Sequence, residues 1–156
     1  MTIKDCYLHG LVPEDLLIVD AHGHIGDYSN IYIRQLPLDD ELALNKSLGI
    51  KQIAVSSITA IGGQLKRGNS EIFQWAEQYP DSLLGYVYYN PNYIEESLSD
   101  IDRYKSHPNF AGVKIHPREC NVNLSDPDYE PLWKLSAEQG IAISCHTWEE
   151  EPVNDP

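Results

Sequence analysis

Short apolar runs rich in Ile, Val, Tyr and Leu recur along the chain at LLIVDAH (16–22), IKQIAVSS (50–57), LLGYVYYN (83–90), FAGVKIH (110–116) and GIAISCHT (140–147). Runs of this length and β-branched or aromatic content, bounded by turn residues, read as buried strands, so five strands are expected. Between them lie amphipathic segments: LDDELALNKSLG (38–49) closing on Gly49, NSEIFQWAEQY (69–79) opening on an Asn or Ser cap, NYIEESLSDIDRYKS (92–106) after Pro91, and DPDYEPLWKLSAEQG (126–140) closing on Gly140. Polar caps at the start and glycine at the end mark these as helices. Strands recur about every 30 residues, the length of a βαβ unit. The alternating order implies an α/β domain with a parallel sheet covered by helices, because parallel neighbours need long crossovers.

Side chains alternate across a strand, so the strand phases show where chemistry gathers. In the first strand Asp20, His22 and His24 share one face, opposite Val19, Ala21 and Gly23. In the fourth, Gly112, Lys114 and His116 share a face, and in the fifth Ser144 and His146 oppose Ile143 and Cys145. Three strands thus bring ligand-capable groups to one face at their C-terminal ends, where parallel α/β sheets and barrels build their sites. An H-x-H pair at a strand end projects two imidazoles together, and neutral imidazole is a favoured ligand of zinc and related ions. Two surface histidines in a loop are the bland alternative; the acid two residues earlier and His146 on another strand end favour metal. Asp20 is expected to orient a ligating histidine or to ligate late. His116 either lines the site or touches only water. Lys114 on the inner face is costly unless paired, so it either meets Asp20 or another carboxylate or carries a modification that makes it a ligand; pairing is the preferred reading.

Composition narrows the partners. The 156 residues are 42% hydrophobic, in keeping with one domain over residues 1–156. Formal net charge is −13 and Lys plus Arg total only 11, so a nucleic-acid backbone would be repelled. No stretch reaches the roughly 20 apolar residues of a membrane span, and no secretory leader is recognisable, so a cytoplasmic protein is expected. Cys6, Cys120 and Cys145 are too few and scattered for a disulfide framework. Gly62 and Gly63 suggest a mobile loop after the second strand. Lys66, Arg67 and Arg118 are expected in loops on the histidine side, where they could hold an anionic substrate, although isolated loop cations are usually just solvated. Tyr7, Tyr28, Tyr86, Tyr88 and Tyr89 read as packing residues, and Cys145 as packed beneath a helix.

The segments VDAHGHIGDY (19–28), GVKIHPRE (112–119) and GIAISCHT (140–147) resemble the amidohydrolase superfamily of metal-dependent hydrolases, in the branch that also contains non-oxidative decarboxylases. RGNSEIFQWAEQYPDSLLGYVYYNP (67–91) resembles that branch's second helix and third strand. The resemblance implies a TIM-type (β/α)8 barrel, here incomplete at about five β/α units, in which His22, His24 and His146 match metal ligands. Lys114 lies near the position that binuclear relatives use for a carboxylated lysine, but this branch is often mononuclear, so Lys114 is not assigned as a ligand. A sixth-strand histidine and an eighth-strand aspartate complete the family's site, and neither falls within these five strands. Glu149, Glu150, Glu151 and Asp155 are acids that could stand in, although a terminal acidic run is usually solvated.

The implied activity is metal-dependent hydrolysis of an amide, ester or lactone carbon in a small-molecule substrate by metal-activated water. A divalent ion, zinc by expectation, is the cofactor; His116, Lys114 and Asp20 are the catalytic candidates and Arg118 the substrate-binding one. Non-oxidative decarboxylation is the alternative within the family, and a catalytically inactive metal-binding or assembly fragment is the alternative outside it. Five strands leave two sheet edges unpaired, so either a homo-oligomer or the missing C-terminal half of the barrel is expected to cover them.

Overall fold

In a computed structural model, which describes residues 2–12, 16–26 and 36–147, the five apolar runs pair in chain order into one parallel sheet. The strands are β1 (Ile18–Ile25), β2 (Ile50–Ser57), β3 (Leu83–Tyr88), β4 (Phe110–Ile115) and β5 (Ile143–Cys145). Helix α1 (Ile3–Leu8) precedes the sheet, and α2 (Leu38–Ser47) joins β1 to β2. The later crossovers carry α3 (Ile58–Ile61) and α4 (Leu65–Gln78), then α5 (Ile94–Tyr104), then α6 (Pro117–Cys120) and α7 (Glu130–Gln139). The sheet curls into a half barrel, the incomplete TIM-type arrangement that the resemblance implies. No described helix is long and apolar enough to cross a membrane. Tyr28, Glu149, Glu150, Glu151 and Asp155 lie outside the described residues.

The outer face of the sheet holds the core. Ile53 and Val55 of β2, Val87 of β3, and Val113 and Ile115 of β4 pack on Ile72, Phe73 and Ala76 of α4, Ile101 and Tyr104 of α5, and Leu132 of α7. Phe73 stacks on Tyr104 with ring centroids 4.2 Å apart, joining α4 to α5. Burying apolar area at roughly 25 cal/mol per Å² makes this layer the main source of stability. The inner face is polar by comparison. In register Tyr86 pairs Gly112, Tyr88 pairs Lys114, and Lys114 pairs Ser144, so these side chains share one side. Tyr86 spans that face, its hydroxyl donating to the Ala21 carbonyl of β1 at 3.0 Å. Gly112, at φ +144, is required there: a Cβ would stand 2.3 Å from the Ala142 carbonyl oxygen of the approaching β5 segment.

Local expectations change after β2. The loop expected at Gly62 and Gly63 is a short turn over 62–64 between α3 and α4, with the Ser57 hydroxyl accepting the Ala60 N–H as the α3 cap. Glycine at 68 lets α4 lie on α3, since a Cβ would come within 2.3 Å of the Ala60 nitrogen. Lys66 and Arg67 consequently stand on a helix, and Arg67 is engaged by Glu71 at 2.7 Å rather than waiting in a loop.

Asn69 does not cap α4 but sits within it, buried. Its Nδ2 donates to the Tyr88 carbonyl at 3.2 Å and to Asp100 Oδ2 at 2.9 Å, while its Oδ1 accepts the Tyr88 N–H at 2.8 Å. One amide therefore ties α4 to the end of β3 and to α5, and tertiary bonding outweighs Asn's preference for a cap. Asn69→Leu leaves the Tyr88 peptide groups and the Asp100 carboxylate without this partner, and an expected loss of about 2–4 kcal/mol in unfolding free energy follows. Urea titration checks it; a loss below about 1 kcal/mol would remove this bracket from the account.

Candidate metal centre

The histidines of β1 owe their placement to an irregular strand. Asp20 pairs with Ile53 and Gly23 with Val55, so two residues of β1 oppose one of β2 and a bulge lies between them. Strict alternation from Asp20 to His24 is broken there, which corrects the expectation that all three polar groups stand in one row. The Asp20 carboxylate turns back to accept the His22 N–H at 3.0 Å, and the two imidazoles converge beyond it. His22 Nε2 and His24 Nε2 lie 3.1 Å apart. His24 Nδ1 meets the Ser56 hydroxyl of β2 at 2.9 Å, and Lys114 Nζ of β4 reaches His22 Nε2 at 2.8 Å.

A second pair forms at the ends of β4 and β5. The His146 N–H donates to the Ile115 carbonyl at 3.1 Å, extending the parallel ladder, and its ring stacks on His116 with centroids 3.9 Å apart and planes 11° from parallel. His116 caps α6, with Nδ1 accepting the Glu119 N–H at 3.4 Å. With Nδ1 as acceptor, a neutral His116 carries its proton on Nε2. Arg118 stands on α6, near enough that its charge depresses the basicity of His146.

Burial shifts every imidazole of the group toward its neutral form. Burial, followed by the charge of Lys114 and the other histidines, lowers His24 to about 4, although its ring remains reachable by solvent from the open side. Burial, with His146 next, lowers His116 to about 4. His22 and His146 are also lowered, by burial first and Lys114 second; Asp20 opposes the shift at His22. Burial lowers Lys114 itself. Lys114 is fully buried and, against expectation, meets the His22 imidazole; no carboxylate pairs with it among the described residues.

The donors of His22 and His24 fit a divalent ion. Two nitrogens each about 2.0–2.1 Å from one tetrahedral ion stand roughly 3.4 Å apart, close to the separation in β1. The third expected ligand is not gathered with them: among the described residues no three His, Cys, Asp or Glu side chains converge as a metal-holding group. His146 lies within electrostatic reach of His22 and His24 while its ring rests on His116. Sequence reasoning did not single out Ser56, whose only signal was its place on the inward phase of β2, nor Tyr86 as a strut across the inner face.

The family profile described as Amidohydrolase matches residues 19–154. No curated protein matches the sequence. Among solved structures, one described as an amidohydrolase II superposes with a TM-score of 0.71 at 15% identity, over 88% of this chain and 53% of that one. The 5-carboxyvanillate decarboxylase of Novosphingobium aromaticivorans, solved with bound manganese, superposes at 0.70 and 15% identity, over 85% of this chain and 51% of that one. The 2,6-dihydroxybenzoate decarboxylase from Rhizobium superposes at 0.65 and 16% identity, over 89% and 52%. The chain spans about half the length of these structures, and the likeness establishes the shared half-barrel fold.

An imidazole nitrogen has one in-plane lone pair, so a metal ion at His22 Nε2 would have to displace Lys114. Lys114→Met removes both the competitor and a neighbouring positive charge. A unit charge about 4 Å away is worth about 4 kcal/mol at an effective dielectric constant near 20, so divalent-ion affinity is expected to rise at least roughly tenfold. Calorimetric titration reads this directly; weaker binding by the variant would instead place Lys114 among the groups that hold the ion.

Proposed function

The chain belongs to the amidohydrolase family, and from that premise we propose that it supplies the metal-holding half of a metal-dependent hydrolase acting on an amide, ester or lactone carbon of a small molecule. The observation that carries the reading is the pair of imidazoles on β1, with facing Nε2 atoms 3.1 Å apart at the C-terminal mouth of a parallel half barrel. His22 and His24 would hold the ion, with His146 as the third ligand from β5. Two neutral imidazoles suit zinc among the divalent ions. When bound, such an ion lowers the pKa of a water molecule toward neutrality and polarises a carbonyl.

The remaining roles belong to the chain's own groups. His116 offers its Nε2–H to a substrate oxygen, because Nδ1 is committed to capping α6. Arg118 gives the mouth a cation able to hold an anionic part of the substrate. Lys114 supplies a buried ammonium that, once released from His22, can donate to developing negative charge. Asp20 fixes the backbone of His22 and with it the approach of the ring. Decarboxylation is the second reading, supported by the two decarboxylases among the similar folds, one of them with manganese. The edges of β1 and β5 are unpaired within the described sheet, and we infer that further barrel strands or a second copy of the chain cover them.

The test is elemental analysis with absolute mass on protein purified without chelator, followed by screening of ester, lactone, amide and aromatic carboxylate substrates. Stoichiometric divalent metal is expected, with activity that chelation abolishes. His22→Ala and His146→Ala are expected to lose metal and turnover by more than the roughly 10–100-fold of an outer-partner defect, with unchanged unfolding midpoints. Unaltered metal content and turnover in His146→Ala would overturn the ligand set, and stoichiometric metal without any turnover would mark a non-catalytic module.

A further inference from the structure

The geometry points to Ser56 as the positioning residue that fixes which nitrogen of His24 carries the proton, and so which nitrogen is free to bind a cation. This rests on the metal-centre reading above. Ser56 is fully buried, lies opposite His24 in the β1–β2 register, and places its Oγ 2.9 Å from His24 Nδ1. A hydroxyl can donate to or accept from that nitrogen, so the other end of the ring decides the direction. His24 Nε2 faces His22 Nε2 at 3.1 Å, but an ammonium at Lys114 can only donate, so the shorter 2.8 Å contact takes up the single lone pair of His22 Nε2. A proton on His24 Nε2 would therefore point at a nitrogen with no acceptor capacity left. Placed on Nδ1 instead, the proton is accepted by Ser56, and the His24 Nε2 lone pair turns toward the space in front of His22.

The support is rigid on the Ser56 side. The adjoining Ser57 ends β2 and caps α3, its hydroxyl accepting the Ala60 N–H at 3.1 Å, so the backbone beneath Ser56 is fixed by both the sheet and the helix. On the His24 side the ring is open to solvent and β1 is bulged, so the Ser56 bond is what orients it. A partner of this kind on the far nitrogen of a ligating histidine sets tautomer and ring direction, and its loss typically weakens metal binding 10–100-fold.

The experiment uses the full chain, metal-free and labelled with 15N at histidine, with the His24 signals assigned by their absence in His24→Gln. Long-range proton–nitrogen spectra at pH 7.5 are expected to show His24 protonated on Nδ1 in the wild type and in Ser56→Thr. Ser56→Ala is expected to shift the proton to Nε2 or to a mixture of the two forms. Titration with Zn2+ alone is expected to show about 10–100-fold weaker binding for Ser56→Ala and wild-type binding for Ser56→Thr, with equal unfolding midpoints throughout. Wild-type His24 protonated on Nε2, or a tautomer untouched by Ser56→Ala, overturns the proposal. The predicted tautomers together with no Zn2+ uptake by the wild type would uphold the role of Ser56 and refute the metal centre it rests on.

Discussion

The structure depends on one constraint, the two-residue period of β4. Val113 and Ile115 point outward into the apolar layer, both fully buried, and that packing forces Lys114 inward, where burial excludes water from its amine. A one-residue slip would place the amine in the hydrocarbon layer and two aliphatic side chains on the polar face, so the register is strongly determined. The neighbouring strands inherit the phase through the parallel ladder, which sets Tyr88 and Ser144 beside Lys114 on the same face. Burial at the mouth, with the Lys114 charge added to it, lowers the basicity of all four histidines and so favours the form in which imidazole can act as a ligand.

The division between a firm outer layer and an adaptable inner one follows from the same geometry. Outside, aromatic and aliphatic side chains from α4, α5 and α7 fill the layer, and buried polar links such as Asn69 to Tyr88 and Asp100 fix the helices at their ends. Inside, the strand-end groups meet through single hydrogen bonds, His22 to Lys114 and His24 to Ser56. The bulge in β1 costs ladder pairing and breaks the phase between Asp20 and His24, so the acid leaves the row that the two imidazoles share.

Much of this was legible in the sequence, and the failures are instructive. The five strands and four longer helices follow from hydrophobic period and from punctuation by Gly49 and Gly140, which do take positive φ at helix ends. The facing of Lys114 and Ser144 follows from alternation alone. Asp20 does not, because a bulge is a property of the pairing of two strands and leaves no mark on one strand's pattern. Asn69 looked like a helix cap because caps favour Asn; its burial between two elements depends on a long-range contact with Tyr88 that local preference does not encode. Lys114 was expected to find a carboxylate, and it finds an imidazole because the described acid nearest in sequence to the histidines, Asp20, is turned onto the His22 backbone. Ser56 has no such mark, because a serine in an apolar strand carries no signal until the strand beside it is known.

Whether the end of β1 gathers a divalent ion is read from the anomalous scattering of a crystal grown with Zn2+. One strong peak is expected about 2.0–2.1 Å from both His22 Nε2 and His24 Nε2, with Lys114 Nζ withdrawn from His22. A peak remote from both imidazoles, with the Lys114–His22 contact intact, would contradict this placement.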